Sequence, residues 1–98
     1  MDSSVTPSGS IRPHPDVVWR DVDGEVVILN VVTGQYFGLD AVGSQVWMLL
    51  QSAGPDGINL LVLSALVIQQ FEVDAATAER DLAALVNDLI AQQLLVLV

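Results

Sequence analysis

His14 is the one imidazole in the chain, and it stands between Pro13 and Pro15. A metal site needs three or four suitable donors, so this lone histidine reads as a solvated tail residue. The chain has no cysteine. That removes disulfides, thiolate metal sites and a sulfur nucleophile, and it suits a reducing compartment. The 12 carboxylates are scattered through turns and helix starts, where capping and solvation account for them. Asp21 and Asp23 flank a turn and read as structural. No GxSxG, HExxH or glycine-rich phosphate loop is present. The side chains therefore predict a non-enzyme with no metal and no cofactor. The stretch left to do the work is Gln35–Leu39, QYFGL, in which Tyr36, Phe37 and Leu39 suit a pleated, half-buried strand.

The elements around that strand follow from local chemistry. Val17–Asp21 reads as a first strand, Asp23-Gly24 as a hairpin turn and Glu25–Asn30 as a second strand. Asn30 and Thr33-Gly34 supply the next turn, which leads into Gln35–Leu39. Asp40 sits where an N-cap belongs. Val42, Val46, Trp47, Leu49 and Leu50 then recur at helical spacing through Ser52. The segment 53–57, AGPDG, breaks that helix. A second helix is expected over Asn59–Phe71, and a third over Ala75–Gln93 behind Asp74 as N-cap. The third helix turns inward a stripe of Ala75, Ala78, Leu82, Leu85, Val86, Leu89 and Ile90. Leu94–Val98 either adds a short strand or closes the core. The fold class is α+β, a winged-helix-like arrangement of a three-stranded antiparallel sheet followed by three helices. Residues 1–15, rich in Ser, Pro and Gly, read as a disordered arm, and 16–98 as the folded domain. Trp19 is expected in the core, with a ligand-stacking platform as the alternative.

Ninety-eight residues with 52% apolar side chains make one core and not two. The formal charge is −9, with Arg12, Arg20 and Arg80 as the only cations. A nucleic-acid binder must neutralise phosphates with Lys or Arg. This chain would be repelled within a Debye length of roughly 8–10 Å, and by anionic membranes likewise. No apolar run approaches the ~20 residues that span a bilayer, and no signal peptide opens the chain. A cytoplasmic location is expected. The second helix is apolar on nearly every side, from Leu60 to Ile68. A domain this small cannot easily surround it. It is covered either by the other helices and the sheet, or by another protein: a partner or a second copy as a homodimer.

The pattern LN-x-x-TG-x-YF-x-LD-x-VG-x-x-VW-x-LL, Leu29 through Leu50, resembles the PqqD-like family. The segment FEVD-(x)6-DLAALVNDLIAQQLL, Phe71 through Leu95, is similar to that family's closing helix. Together they span most of 17–98, from Leu29 to Leu95. Family members are recognition elements for ribosomally made, post-translationally modified peptides. A free-standing version with the TG-x-YF-x-LD signature resembles the leader-binding elements of lasso peptide biosynthesis. The resemblance implies a precursor leader peptide as ligand and a cysteine-protease-type leader peptidase as partner, with an ATP-dependent cyclase acting afterwards. It implies that the leader adds as a strand to the third strand and lies in a groove between that strand and the third helix. Carried over by position, Gln35, Tyr36, Phe37, Gly38 and Leu39 offer the edge. Gly38 lets another backbone come close. Arg80, Ala83, Val86, Asn87 and Ile90 are expected to form the helix wall. Leaders of this kind carry a Tyr-x-x-Pro element, which would fill an apolar pocket. A docking face for the peptidase is expected on the first or second helix.

Two other readings compete. A PqqD-like carrier could serve a different modifying enzyme. A winged-helix DNA-binding protein shares the helix order, but a recognition helix bearing Asp81 and Asp88 with one arginine suits phosphates badly.

Overall fold

Alternation decides the sheet. In Glu25–Asn30 every second side chain, Val26, Ile28 and Asn30, is buried, as a strand with one face on a core requires. The computed structural model of the chain describes residues 9–98. It contains β1 (Ser10–Pro13), β2 (Val17–Val22), β3 (Glu25–Asn30), β4 (Tyr36–Gly38), α1 (Ala41–Ser52), β5 (Ile58–Asn59), α2 (Leu60–Phe71), α3 (Ala75–Ala91) and β6 (Leu95–Leu97). Strands β2, β3 and β4 form the expected antiparallel meander, with β4 at one edge.

The three helices start where the sequence says. Asp40 Oδ1 accepts the Gly43 N–H at 2.8 Å, Asn59 Oδ1 the Val62 N–H at 2.8 Å, and Asp74 Oδ2 the Thr77 N–H at 3.1 Å. Each removes one of the donors a helix leaves open at its start. The core joins the meander to all three helices through Ile28, Leu39, Trp47, Leu63, Val86 and Leu89.

A second antiparallel sheet, in the order β5-β1-β6, corrects the expected domain boundary. Residues 10–13 are not a disordered arm: they are the central strand of that sheet, and Ile11 is completely buried. The sequence hid this because Arg12, Pro13 and Pro15 break any apolar alternation around the one buried side chain. The part of the expected arm formed by residues 1–8 lies outside the described residues. At the other end Leu95–Leu97 is a strand and Leu94 and Leu95 are buried, so the terminal run both adds a strand and closes the core. Trp19 is not a core residue, being 36% exposed, whereas Trp47 is fully buried.

Candidate functional site

Two buried polar side chains fix the position of β4. Asn30 Oδ1 accepts the N–H groups of Val32 and Thr33, and its Nδ2 donates to the Gln93 carbonyl at 2.8 Å. The β3–β4 turn is thereby tied to the end of α3. Ser44, on the first turn of α1, accepts the Val26 N–H at 2.7 Å and donates to the Leu39 carbonyl at 3.3 Å. A buried N–H left without such a partner costs about 1–3 kcal/mol, so this one hydroxyl holds β3, β4 and α1 in register. Gly43 makes the approach feasible: a Cβ there would meet Asp40 Oδ1 at 3.2 Å and Leu39 Cδ2 at 3.3 Å.

The hydrogen bonds across β3 and β4 show which backbone groups are spoken for. Asn30 N–H donates to the Gln35 carbonyl and Leu39 N–H to the Val26 carbonyl, each at 2.8 Å. Antiparallel ladders alternate, so the backbone groups of Gln35, Phe37 and Leu39 turn toward β3. Those of Tyr36 and Gly38 turn outward, along the edge of the sheet that no described strand covers. Side chains alternate the other way. Phe37 stands beside Ile28 on the core face, while Tyr36 stands beside Leu29 on the outer face and is 71% exposed.

Below that edge lies a groove of about 670 Å³. Its walls come from β4 and the start of α1 (Phe37, Gly38, Leu39, Asp40, Val42, Gly43, Val46), from the end of α2 (Val67, Phe71, with Val73 beyond it) and from α3 (Thr77, Ala78, Asp81, Leu82, Leu85). Such a trough, apolar with a few polar groups beside an unpaired strand edge, is what an added peptide strand needs for side-chain pockets. Among the described residues no group of three metal-ligating side chains comes together, and no helix is long and apolar enough to cross a membrane.

Of the residues expected at the site, Phe37, Gly38 and Leu39 line this groove. Gln35 and Tyr36 precede them along the same chain segment, both exposed. The expected helix wall does not coincide with the groove. Val86 is fully buried and unreachable, and Ala83 and Ile90 pack against the core. Arg80 is 76% exposed, off the groove, with Nε 3.8 Å from Asp81 Oδ1. Asn87 is partly buried and does not line the groove either. The wall is the other shoulder of α3, Thr77, Asp81 and Leu85, one turn apart each. Periodicity marks both shoulders of the buried stripe Ala78, Leu82, Val86 and Leu89 equally. Val42 and Phe71 were also missed, and their only sequence signal was being apolar next to a helix end.

The family model for coenzyme PQQ synthesis protein D (PqqD) matches residues 25–95. The solved structure of TbiB1 in complex with the TbiA(beta) leader peptide is 37% identical, with a TM-score of 0.76. The match covers 86% of this chain and 93% of that one. Lasso peptide synthetase B1 complexed with the leader peptide aligns with a TM-score of 0.73 over 89% of this chain and 98% of that one, and at 23% identity speaks to the fold alone. Among curated protein sequences nothing matches.

Proposed function

The chain belongs to the PqqD family, and on that premise we propose that it binds the leader of a lasso-type precursor peptide by strand addition to β4 and presents it to a leader peptidase. The observation that carries this reading is the coincidence of an unpaired edge, Tyr36 and Gly38, with an apolar groove directly beneath it. Backbone bonds to the edge give affinity without regard to sequence, and the groove gives register through alternate side chains. The 37%-identical neighbour is itself a leader-peptide complex, which supports the ligand class. The protein contributes recognition and no bond-making step, and an ATP-dependent cyclase would act on the released core peptide.

Fluorescence polarisation against the leader of the precursor encoded beside this chain tests the proposal. Sub-micromolar binding is expected, worth more than about 8 kcal/mol, and it should fall sharply when the leader tyrosine is replaced by alanine. A folded protein that ignores this leader would remove the assignment. A PqqD-like carrier for another modifying enzyme would show itself by binding that enzyme's substrate leader instead.

The peptidase contact is assigned to α2, whose outer face exposes Leu61 (55%) and Val62 (48%). Both side chains are about half exposed and neither belongs to the core cluster, so Leu61→Asp should leave the protein folded and leader binding intact while slowing leader removal by the peptidase. Unchanged cleavage by a folded Leu61→Asp protein would move the contact elsewhere. A second copy packing on α2 would appear instead as a dimer in sedimentation that this variant abolishes.

A further inference from the structure

Apart from the Thr77 hydroxyl, the side chains lining the groove beneath β4 are apolar except at two points, and both are anionic. Asp40 and Asp81 are the charged side chains on its walls, with no cation among the lining residues. Asp40 spends one carboxylate oxygen on the Gly43 N–H. Asp81 has Arg80 for a neighbour, but at 3.8 Å between two largely solvated groups that contact is too long to be a hydrogen bond. The whole molecule reinforces the local sign, with a formal charge of −9. An anionic peptide segment entering this groove would therefore be opposed at both walls and by the long-range field, and a cationic one drawn in.

Resting on the strand-addition reading above, we propose that the groove selects a leader segment carrying a Lys or Arg two residues away from a bulky apolar side chain, with Asp81 as the specificity-determining residue. The spacing follows from the pleat. A strand added to β4 points alternate side chains to the face that Phe37 and Leu39 share, so an apolar residue entering the trough and a basic residue meeting its acidic wall must be of the same parity. Residues between them point to the outer face beside Tyr36 and are free to be of either charge. Asp81 stands on the α3 wall, across the groove from the edge, while Asp40 is committed to capping α1. Discrimination therefore falls mainly to Asp81.

The test is selection from a display library of random 12-residue peptides at physiological salt, run in parallel on the full-length protein and on its Asp81→Arg variant. The expected result is an enriched set in which Lys or Arg sits two residues from an aromatic or branched residue for the parent, and Asp or Glu replaces it for Asp81→Arg. That variant remains strongly acidic overall, moving from −9 to −7 because one negative charge becomes one positive. A general attraction of cations to the protein would thus survive it, whereas the positional preference would not. In polarisation titrations of the best parental peptide, replacing its basic residue by methionine should weaken binding about threefold, the size expected of a solvated ion pair, and should not weaken binding to Asp81→Arg. Enrichment of the same basic residue by both proteins, or of apolar residues with no charge at a fixed offset, overturns the inference and leaves the groove as a peptide site. No enrichment by either folded protein overturns the strand-addition reading together with it.

Discussion

Replacing Gly38 by proline is expected to weaken leader binding roughly a hundredfold, about 3 kcal/mol, with little change in melting temperature. The Gly38 N–H points away from β3, so the sheet's own ladder does not lose a bond. Proline is tolerated on an edge strand for that reason. The incoming peptide loses a donor, worth about 1 kcal/mol net, and one of its own carbonyls is left facing the groove without a partner, at about 1–3 kcal/mol more. Gly38→Ala is the control. A Cβ at Gly38 meets nothing within 4 Å in the free protein, and alanine keeps the N–H, so this variant should fold normally and bind far more tightly than the proline variant. Equal binding by the proline and alanine variants, measured by polarisation on folded protein, would mean that the peptide does not use this edge.

A chain shortened to begin at Asp16 should fail to fold, even though composition places the domain boundary there. The deletion removes the middle strand of the β5-β1-β6 sheet and leaves both flanking strands without a partner. It also removes the Leu94 carbonyl's bond from the His14 N–H at 3.0 Å, and the Ser10 carbonyl that accepts the Val98 N–H at 2.8 Å. Burying one isoleucine side chain is worth about 1.5–3 kcal/mol, and each lost bond adds about 1 kcal/mol. With the pairing of β1 to both neighbours lost as well, that exceeds what a small domain near the low end of the usual range, roughly 5–15 kcal/mol, can lose. Ile11→Ala isolates the packing contribution. It should cost about 3 kcal/mol and lower the melting temperature by roughly 15 °C, measured by circular dichroism. A melt unchanged by Ile11→Ala would show that β1 is not part of the cooperative unit. Gly57 gives the same sheet a steric signature. Its φ is +77°, and a Cβ there would fall 2.6 Å from the Ile11 carbonyl oxygen, so only glycine lets β5 approach β1.

What the sequence disclosed, and what it withheld, divides along the range of the forces involved. Caps and turns are local, and Asp40 and Asp74 could be placed from neighbouring residues alone, while Asn59, read as the first residue of the second helix, is its N-cap. The meander was legible because the short apolar run of Glu25–Asn30 and the Asp23-Gly24 turn are signals contained in a few residues, whereas which of its side chains face the core shows only in the structure. The β5-β1-β6 sheet was not, since it joins residues 10–13 to 58–59 and 95–97 through strands too short to show a period. The site divides in the same way. The Gln35–Leu39 segment was legible as an element because it is one continuous stretch, of which Tyr36–Gly38 is strand. The expected α3 wall and the groove fall on different shoulders of that helix, because which of Asp81 and Ala83 lines the groove depends on how α3 crosses β4, a tertiary fact with no local mark. Asn30 was read as a turn residue, and its Oδ1 does hold the turn through the Val32 and Thr33 N–H groups, but its further bond to Gln93, 63 residues away, had no local mark.

The most direct test of strand addition is the hydrogen exchange of individual backbone amides, followed by NMR with and without the leader peptide encoded beside this chain. The Tyr36 and Gly38 amides should exchange rapidly in the free protein and become strongly protected on binding, while the Phe37 and Leu39 amides, already turned toward β3, change little. Saturating binding with Tyr36 and Gly38 still exchanging freely would contradict the account and place the leader on another surface.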